Sequence, residues 1–368
     1  MKKILIFGMT EIAGGMESFI MNYYRNIDKT LFHFDFLCNT YNKIAYEEEL
    51  VNYGSKIFKF TARIKNYFKY KRELNDFFRI HAKEYDCIWV NVCSLANIDY
   101  LKLAKKYGIK KRIIHSHNSQ NMDSFTRGIL HKINRFIIEK YATDFFACTK
   151  EAAIWFYKKQ IINKVKIIKN AIDLKKYKFN NENRNKIRNA FNLENDFVIG
   201  NVGRLHFQKN QTFILNIFKE FLKKYNNAKL VLVGEGEDEI KLKQKVSLLG
   251  IENNCLFVGN QNNIEQWLSA FDVFLFPSLF EGLPISLLEA QANGIPILAS
   301  SDISKEVKIN DNYICYSLKE SPINWTKKLI YIKENLKRIS YDNLFKLFDL
   351  YGFDIKIEVK KIEKILMG

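Results

Sequence analysis

The sequence predicts an α/β protein built from two consecutive doubly wound parallel sheets. Short apolar runs alternate with segments of helical length, and this alternation restarts once near the middle of the chain. A polar segment rich in Asn and Lys, residues 175–188, separates the two series and is interpreted as a linker. The length of 368 residues also exceeds what one hydrophobic core usually supports, which favours two domains.

Each series supplies a set of strand-like runs. In the first series they are residues 3–7, 34–38, 57–60, 87–90, 112–115, 144–147 and 165–168, with helix-like segments at 15–26, 65–81, 99–107, 126–142 and 150–157. In the second series they are residues 197–203, 230–234, 256–258, 273–276, 296–299 and 313–315. We predict domains of residues 1–178 and 179–345, and a helical tail, 346–368, that packs back on the first domain.

Residues 276–300 carry the strongest functional signal. They read as strand, loop, helix and strand, with Glu281 at the carboxyl end of the strand and Glu289 on the helix. Open parallel sheets bind ligands just outside these strand ends, where carboxylates accept hydroxyls and bare N–H groups bind phosphate. Two solvated glutamates are the alternative. It fits poorly because Glu289 lies in an otherwise apolar stretch, where a charge needs a partner.

Two cations follow the first strand of the second series. Arg204 and Lys209 flank a strand-to-helix loop, where both can reach one anion near the helix N-terminus. A pair of solvated loop cations is an equal alternative for these two residues alone. Together with Glu281 and Glu289 at a neighbouring strand end, the functional interpretation is preferred.

The first series offers weaker candidates. Gly14 and Gly15 precede a helix and permit close approach of a phosphate or sugar, although a simple tight turn gives the same pattern. His115 and His117 end another strand and suggest contact with a sugar, although a lone histidine is more often structural. With no third ligand at metal spacing, we expect no metal site.

No nucleotide redox cofactor is expected. Neither series has the G-x-G-x-x-G pattern after its first strand, and Gly234-Glu235-Gly236 lacks the third glycine.

The N-terminus reads as a first strand and not as a signal peptide, and no apolar run is long enough to span a bilayer. The six cysteines form no C-x-x-C pair and suit reduced, buried thiols. We therefore expect a cytoplasmic protein.

The net charge of +18 points to an anionic partner. Nucleic acid is the weakest option, because no recognition motif accompanies the charge. Residues 56–83 interleave basic and aromatic side chains. This pattern suits the headgroup region of an anionic membrane and, equally, a basic helix that packs its aromatic residues into the core.

These motifs together resemble the retaining glycosyltransferases of family 4, whose GT-B fold has two Rossmann-like domains facing each other across a cleft. The resemblance covers nearly the whole chain, and its run at 115–118, His-Ser-His-Asn, is similar to that of the branch making capsular and exopolysaccharides. At position 171 this chain has Ala where many relatives have Gly. This difference is expected to bear on the subgroup to which the chain belongs more than on its activity. The motifs are Gly14-Gly15-Met16-Glu17, the segment 168–173, Gly203-Arg204 with Lys209-Asn210, the segment 232–236, and residues 277–289.

The resemblance implies a role for each matching residue. The second domain would bind a nucleotide sugar, most often a UDP-sugar, and the first an acceptor. Arg204 and Lys209 would stabilise the leaving diphosphate, and Glu281 the hydroxyls of the donor sugar. Glu289 would hold the ribose, and His117, or less readily His115, would contact the donor sugar near its anomeric carbon. The remaining substrate-binding candidates are Gly14, Gly15, Asn170, Gly234, Gly236, Gly282, Leu283 and Pro284.

Transfer of a hexose or N-acetylhexosamine with retention, and without a divalent metal or cofactor, is therefore the expected reaction. Closure of the two domains, with the linker as a hinge, would assemble the site. A lipid-linked saccharide is the expected acceptor, at the inner face of the plasma membrane. Competing possibilities are an epimerase or phosphorylase on the same fold, a non-catalytic partner subunit of another transferase, and a nucleic-acid binder.

Overall fold

The structure, a computed structural model, describes residues 1–118 and 125–368. The chain divides into two compact units, one of residues 1–171 with 355–368 and the other of residues 172–354. Each unit contains one parallel sheet with helices in its crossover connections. The predicted class, α/β with two doubly wound parallel sheets, is confirmed.

The first unit has a seven-stranded sheet with the order β3-β2-β1-β4-β5-β6-β7. The strands are apolar over most of their length because both faces of a parallel sheet are covered. They are β1 (Lys2–Phe7), β2 (Phe32–Cys38), β3 (Ile57–Lys59), β4 (Cys87–Val92), β5 (Lys111–Ser116), β6 (Asp144–Ala147) and β7 (Val165–Ile167). The helices are α1 (Gly15–Asn26), α2 (Glu47–Asn52), α3 (Tyr67–His81), α4 (Asp99–Lys106), α5 (Phe125–Ile137), α6 (Lys150–Phe156) and α7 (Lys159–Ile162).

The second unit has a six-stranded sheet with the order β10-β9-β8-β11-β12-β13. The strands are β8 (Phe197–Val202), β9 (Ala228–Val233), β10 (Cys255–Phe257), β11 (Val273–Phe276), β12 (Ile297–Ser300) and β13 (Tyr313–Tyr316). The helices are α8 (Leu174–Tyr177), α9 (Asn181–Ala190), α10 (Gln211–Leu222), α11 (Glu239–Leu249), α12 (Ile264–Ala270), α13 (Ile285–Ala292), α14 (Pro322–Asn335) and α15 (Tyr341–Tyr351). The chain ends with α16 (Ile355–Met367), which packs against α1 in the first unit.

The boundary between the units differs from the one drawn on composition. The units divide after Ala171 and not after residue 178, and only the part of the tail from Ile355 onward groups with the first unit. The segment 175–188, interpreted as a linker, is largely helical, since it contains the end of α8 and most of α9. That interpretation is wrong because the polar residues of α9 have partners in the second unit.

Asp272, directly before β11, fixes α9 to the amino end of the two central strands of the second sheet, β8 and β11. Its two carboxylate oxygens each accept a 2.6 Å hydrogen bond, one from Arg184 and one from Arg188. The N–H of Val198, in β8, donates to the same carboxylate at 2.8 Å. The Arg188 guanidinium also donates to the carbonyl of Ala270, which ends α12. A charged helix that looks like a linker in the sequence is therefore an integral part of the second unit.

The basic and aromatic segment 56–83 is mainly a core element. Tyr70, Phe77 and Phe78 of α3 are buried. Several of its cations are also paired: Lys71 lies 2.8 Å from Asp99, for example. Of the two interpretations held equally above, the structure favours packing into the core for these aromatic side chains.

Among the described residues, none of the helices combines the length and the hydropathy needed to cross a bilayer. All six cysteines are free thiols, of which Cys315 is exposed. Within residues 1–118 and 125–368, no group of three or more His, Cys, Asp or Glu side chains is placed to hold a metal ion.

We predict that Asp272→Asn lowers the free energy of unfolding by about 2–4 kcal/mol, because it leaves two neighbouring arginines without their shared counter-charge. Urea unfolding at neutral pH measures this loss. Asp311→Asn, at an exposed turn position, is the matched control and should change the free energy by less than about 0.5 kcal/mol. Equal urea midpoints for the two variants would contradict the anchoring role of Asp272.

Candidate active site

The site in the second unit lies at the carboxyl end of β8. This strand is flanked by β9 and β11, so the chain reverses its direction of winding at β8. Such a switch point leaves a crevice in which loops from neighbouring strands converge. The loop after β8 carries Arg204 and Lys209, and the loop after β11 carries Glu281. Tertiary structure therefore brings together the residues that the sequence analysis selected separately.

Lys209 and Glu281 form a direct ion pair. The Lys209 Nζ lies 2.7 Å from the Glu281 Oε1, and the two side chains are only 17% and 10% exposed. The ammonium group also lies 4.8 Å from the centre of the Phe276 ring. A cation and a carboxylate that face the same crevice can bind a diphosphate and a hydroxyl, respectively.

Hydrogen bonds join the loops after β8 and β11. The Gln208 side chain donates to the carbonyl of Phe280 at 2.8 Å, and the N–H of Leu279 donates to the Gln208 carbonyl at 2.8 Å. Asn210 takes a left-handed conformation with φ of 57°, which Asn tolerates better than most residues, and donates to the Pro277 carbonyl. These contacts hold Lys209 opposite Glu281.

Arg204 is half-exposed and pairs with Glu237 from the loop after β9. The guanidinium Nε lies 3.1 Å from the Glu237 Oε2, and the His206 Nε2 lies 3.2 Å from the Oε1. Burial opposes ionisation of Glu237, but its own N–H and the Arg204 and His206 side chains outweigh burial and lower its pKa. A charged Glu237 therefore holds the half-exposed Arg204 side chain in place, and an incoming anion would compete with Glu237 for the guanidinium.

Gly234 and Gly236 have a packing function in the loop after β9. A Cβ on Gly234 would lie 2.2 Å from the Gly203 carbonyl oxygen, and one on Gly236 would lie 2.2 Å from the Leu205 carbonyl oxygen. Gly234 also has a φ of +131°, which side chains disfavour. Two loop backbones can therefore pack directly together and position Arg204. The predicted contact of these glycines with substrate stays a prediction.

Glu289 lies in α13 and is buried. Burial raises its pKa, while a hydrogen bond with Tyr177 and the nearby charge of Lys176 oppose this rise. The expectation that a charge in this apolar stretch has a partner is met by Tyr177. The same helix begins at Ile285, directly after Gly282, Leu283 and Pro284, so the positive end of its dipole follows this loop.

In the first unit, Gly14 and Gly15 begin α1. Glu17 organises this turn, since its carboxylate accepts hydrogen bonds from the Gly14 N–H at 3.1 Å and the Thr10 hydroxyl at 2.6 Å. A Cβ on Gly15 would meet no atom within 4 Å. The space beside Gly15 is therefore open, as a ligand site requires.

His117 has a defined tautomer. Its Nε2 lies 2.9 Å from the Asn91 Oδ1, and the Asn91 amide is oriented by donation to the Phe7 carbonyl at 3.2 Å. The proton therefore resides on Nε2, which leaves Nδ1 as an acceptor. Burial lowers the pKa of His117 to about 3. This imidazole is neutral at physiological pH and suits a hydrogen bond from a sugar hydroxyl.

His115 differs from His117 in its surroundings. It is fully buried, and its ring stacks on Trp89 and meets Phe19 edge to face. Burial, and then the neighbouring His117, lower its pKa. His115 offers no surface to a ligand, so of the two histidines only His117 stays a candidate for the predicted sugar contact.

Asn170 is buried in the segment that follows β7. The carbonyls on either side of it are tied to α1: Tyr23 donates to Lys169 at 2.8 Å, and Asn22 donates to Ala171 at 3.1 Å. These bonds set the position of Asn170 relative to α1. Its predicted role in substrate binding stays a prediction.

Residues 183–340 match the family model described as "Glycosyl transferases group 1". This chain contains a group 1 glycosyltransferase domain. The match covers most of the second unit, including all four charged residues chosen for it: Arg204, Lys209, Glu281 and Glu289.

Two relatives of this glycosyltransferase extend the similarity across both units. EpsF of Bacillus subtilis strain 168, a protein assigned to the glycosyltransferases, is 28% identical over 371 residues, which span 92% of this chain and 93% of EpsF. CapH of Staphylococcus aureus, described as a capsular polysaccharide biosynthesis glycosyltransferase, is 26% identical over 302 residues, 78% of this chain and 79% of CapH. These findings confirm the family 4 resemblance and its polysaccharide branch.

A solved structure resembles the enzyme over its full length. HepE from Anabaena, crystallised with UDP and glucose, superimposes with a TM-score of 0.81 and 17% identity over all of both chains. The similarity confirms the predicted GT-B glycosyltransferase fold.

Three partners of the site residues were not identified from the sequence. They are Glu237 beside Arg204, Asn91 beside His117, and Tyr177 beside Glu289. Asn91 could have been recognised in the sequence, since it is a polar residue inside the apolar run of β4. Glu237 follows the glycine loop and is a weaker signal. Tyr177 leaves none, because a tyrosine in a short helix is usually a core residue.

We predict that Gly236→Ala lowers the free energy of unfolding of the enzyme by about 1–3 kcal/mol, because the added methyl group overlaps the Leu205 carbonyl. Gly15→Ala is the matched control at an open position and should leave stability unchanged or slightly raised. Urea unfolding of both variants measures the difference. Equal stability of the two would show that the loop after β8 accommodates the methyl group freely.

We also predict that His117→Asn makes stability less sensitive to acid. The folded pKa of about 3 lies below the value of about 6.5 expected in the unfolded chain, so the unfolded state binds more protons between these values. The contribution of neutral His117 to the free energy of unfolding is fully present above about pH 6.5. Below that pH it falls by up to about 1.4 kcal/mol per pH unit. Urea unfolding of both proteins at pH 7, 6 and 5 tests this, and parallel stability curves would contradict it.

Proposed function

We propose that the chain is a retaining glycosyltransferase that moves a hexose or N-acetylhexosamine from a UDP-sugar to a saccharide acceptor. The observation that carries this proposal is the pairing of Lys209 with Glu281 at the carboxyl end of β8, in the same loop that carries Arg204. A nucleotide sugar presents a diphosphate next to a ring of hydroxyls. The crevice presents cations next to a carboxylate, which is the complementary arrangement.

Arg204 and Lys209 are proposed to stabilise the leaving diphosphate. As the glycosidic bond to the diphosphate breaks, negative charge grows on the oxygen that departs. Two positioned cations lower the energy of that state more than they stabilise the bound donor. Because they supply this charge themselves, the proposed reaction uses no divalent metal and no cofactor.

Donor recognition is proposed to use the loop and helix after β11. The Glu281 carboxylate would accept hydrogen bonds from the donor sugar, and Glu289 from the ribose. The N–H groups near Gly282, Leu283 and Pro284 lie at the start of α13, where the helix dipole favours the diphosphate. The raised pKa of Glu289 implies that acid removes this acceptor sooner than it would from an exposed glutamate.

His117 is proposed to contact a sugar hydroxyl through its free Nδ1. A neutral imidazole is appropriate there because the reacting carbon becomes positively charged, and an imidazolium would oppose that charge. Retention requires the acceptor hydroxyl to attack the face from which the diphosphate departs. The departing diphosphate can then take the acceptor proton.

The acceptor is proposed to be a lipid-linked saccharide used in capsular or exopolysaccharide assembly at the inner face of the plasma membrane. Similarity to CapH over 78% of this chain supports the polysaccharide part of this proposal. The net charge of +18 supports a location beside anionic lipids.

Donor turnover tests the proposal. The purified chain is incubated with UDP-, GDP- and ADP-sugars in EDTA, with and without a membrane extract as acceptor source, and release of nucleoside diphosphate is measured. We expect release from one UDP-sugar. Arg204→Ala should lower it by roughly 10²–10³-fold, because a group that stabilises the developing charge is lost.

Arg79→Ala is the matched control, since Arg79 also forms an exposed ion pair, at 3.2 Å from Asp76, outside the site. Its turnover should equal that of the wild type. A wild-type rate in Arg204→Ala would refute the leaving-group role, and loss of release in EDTA would refute metal independence. Donor consumption without acceptor or diphosphate release would indicate an epimerase. If calorimetry also detects no binding of UDP, GDP or ADP, the glycosyltransferase proposal fails.

A further inference from the structure

Helix α5 has its apolar and polar faces reversed. Phe125, Ile129, Ile133 and Phe136 occur at spacings of four, four and three, which places them within an arc of about 80° on one side of the helix. All four are exposed, by between 44% and 83%. A helix on the surface of a globular domain normally turns such a stripe toward the core.

Polar contacts hold the opposite side of α5 against the first unit. His131 and Asn134 are the buried residues of this helix. The His131 Nδ1 accepts a hydrogen bond from the Leu95 N–H at 3.1 Å, and the Asn134 side chain donates to the Leu95 carbonyl at 2.7 Å. Arg135 donates to the Ile154 carbonyl at 2.8 Å. The orientation of α5 is therefore specified, and its outward apolar stripe follows from that orientation.

Two lysines lie beside the stripe. Lys132 is about 60° around α5 from the centre of the stripe, whereas Arg127 and Arg135 lie farther round, and the helix contains no acidic residue. The Lys158 Nζ lies 4.8 Å from the centre of the Phe136 ring and donates to the Phe136 carbonyl. Ile154 of α6, 62% exposed, extends the apolar area beyond α5. An apolar stripe with Lys132 and Lys158 beside it matches the boundary between acyl chains and anionic headgroups.

We propose that the exposed stripe of α5 docks the enzyme on an anionic phospholipid bilayer, with the four apolar side chains inserted below the headgroups. The inference rests on the proposed function only in explaining why the enzyme visits a membrane, where its lipid-linked acceptor would reside. It also assigns membrane contact to a different surface from the basic and aromatic segment 56–83. That segment buries most of its aromatic residues. Its exposed apolar residues form no stripe like that of α5: Ile64 precedes α3, and Phe68 and Ile80 lie about 120° apart around the helix.

Vesicle sedimentation of the full chain, without donor sugar, tests the proposal. The wild type should bind vesicles of phosphatidylcholine and phosphatidylglycerol and release them in high salt. The triple variant Ile129→Gln, Ile133→Gln, Phe136→Gln should bind at least about tenfold more weakly, because three inserted apolar side chains are lost. The matched triple variant Ile64→Gln, Phe68→Gln, Ile80→Gln should bind within about twofold of the wild type.

A second pair of variants gives a direct readout of insertion. Phe136→Trp should gain tryptophan fluorescence that brominated lipids quench, whereas Phe68→Trp should not. Unchanged vesicle binding by the α5 triple variant, equal loss in both triple variants, or no quenching at position 136 would each overturn the proposal. Light scattering that shows a wild-type dimer and a monomeric α5 variant would also overturn it, because the stripe would then be an interface between copies.

UDP calorimetry on the same proteins separates this inference from the proposed function. The α5 triple variant should bind UDP as the wild type does, which also shows that it is folded. Loss of UDP binding in the wild type would defeat the proposed function while the vesicle result stands. Normal UDP binding with unaltered vesicle binding in the α5 variant would defeat the docking surface alone.

Discussion

The parallel direction of every strand is the constraint on which the candidate site depends. Because all strands of a sheet point the same way, the loops that follow them meet at one edge. At the carboxyl end of β8 this brings Lys209 within 2.7 Å of Glu281, a residue 72 positions later in the chain. The same convergence in the first unit places His117, after β5, against Asn91, at the end of β4.

The two cations of the candidate site are each paired with a carboxylate. Arg204 pairs with Glu237, and Lys209 pairs with Glu281. Such pairing keeps two long side chains ordered before a ligand arrives, which lowers the entropy lost on binding. The oxygens of an anionic ligand can then take the place of a carboxylate beside one of the cations. Because the cations are already partly desolvated by their carboxylate partners, ligand binding costs less desolvation energy than it would for fully hydrated cations.

Composition alone does not distinguish a helix whose apolar side chains face solvent from one whose apolar side chains face the core. The segment 56–83 and helix α5 both mix cations with large apolar residues. The former directs Tyr70, Phe77 and Phe78 inward, whereas α5 directs His131 and Asn134 inward and its aromatic residues outward. The difference follows from the neighbouring structure: the Leu95 backbone offers unpaired hydrogen-bonding groups to α5, and only polar side chains can satisfy them.

The sequence by itself determined the two-sheet architecture, the position of nearly every strand and the charged residues of the second unit. Buried parallel strands are continuous apolar runs, and residues at their carboxyl ends are exposed to ligand, so both leave local signals. Only the tertiary structure decided the partners Glu237 and Tyr177, the burial of His115, the helical state of 181–190 and the outward stripe of α5. Each of these features depends on contacts between residues distant in the chain, such as those of Arg184 and Arg188 with Asp272. The local periodicity of apolar residues does not reveal such contacts.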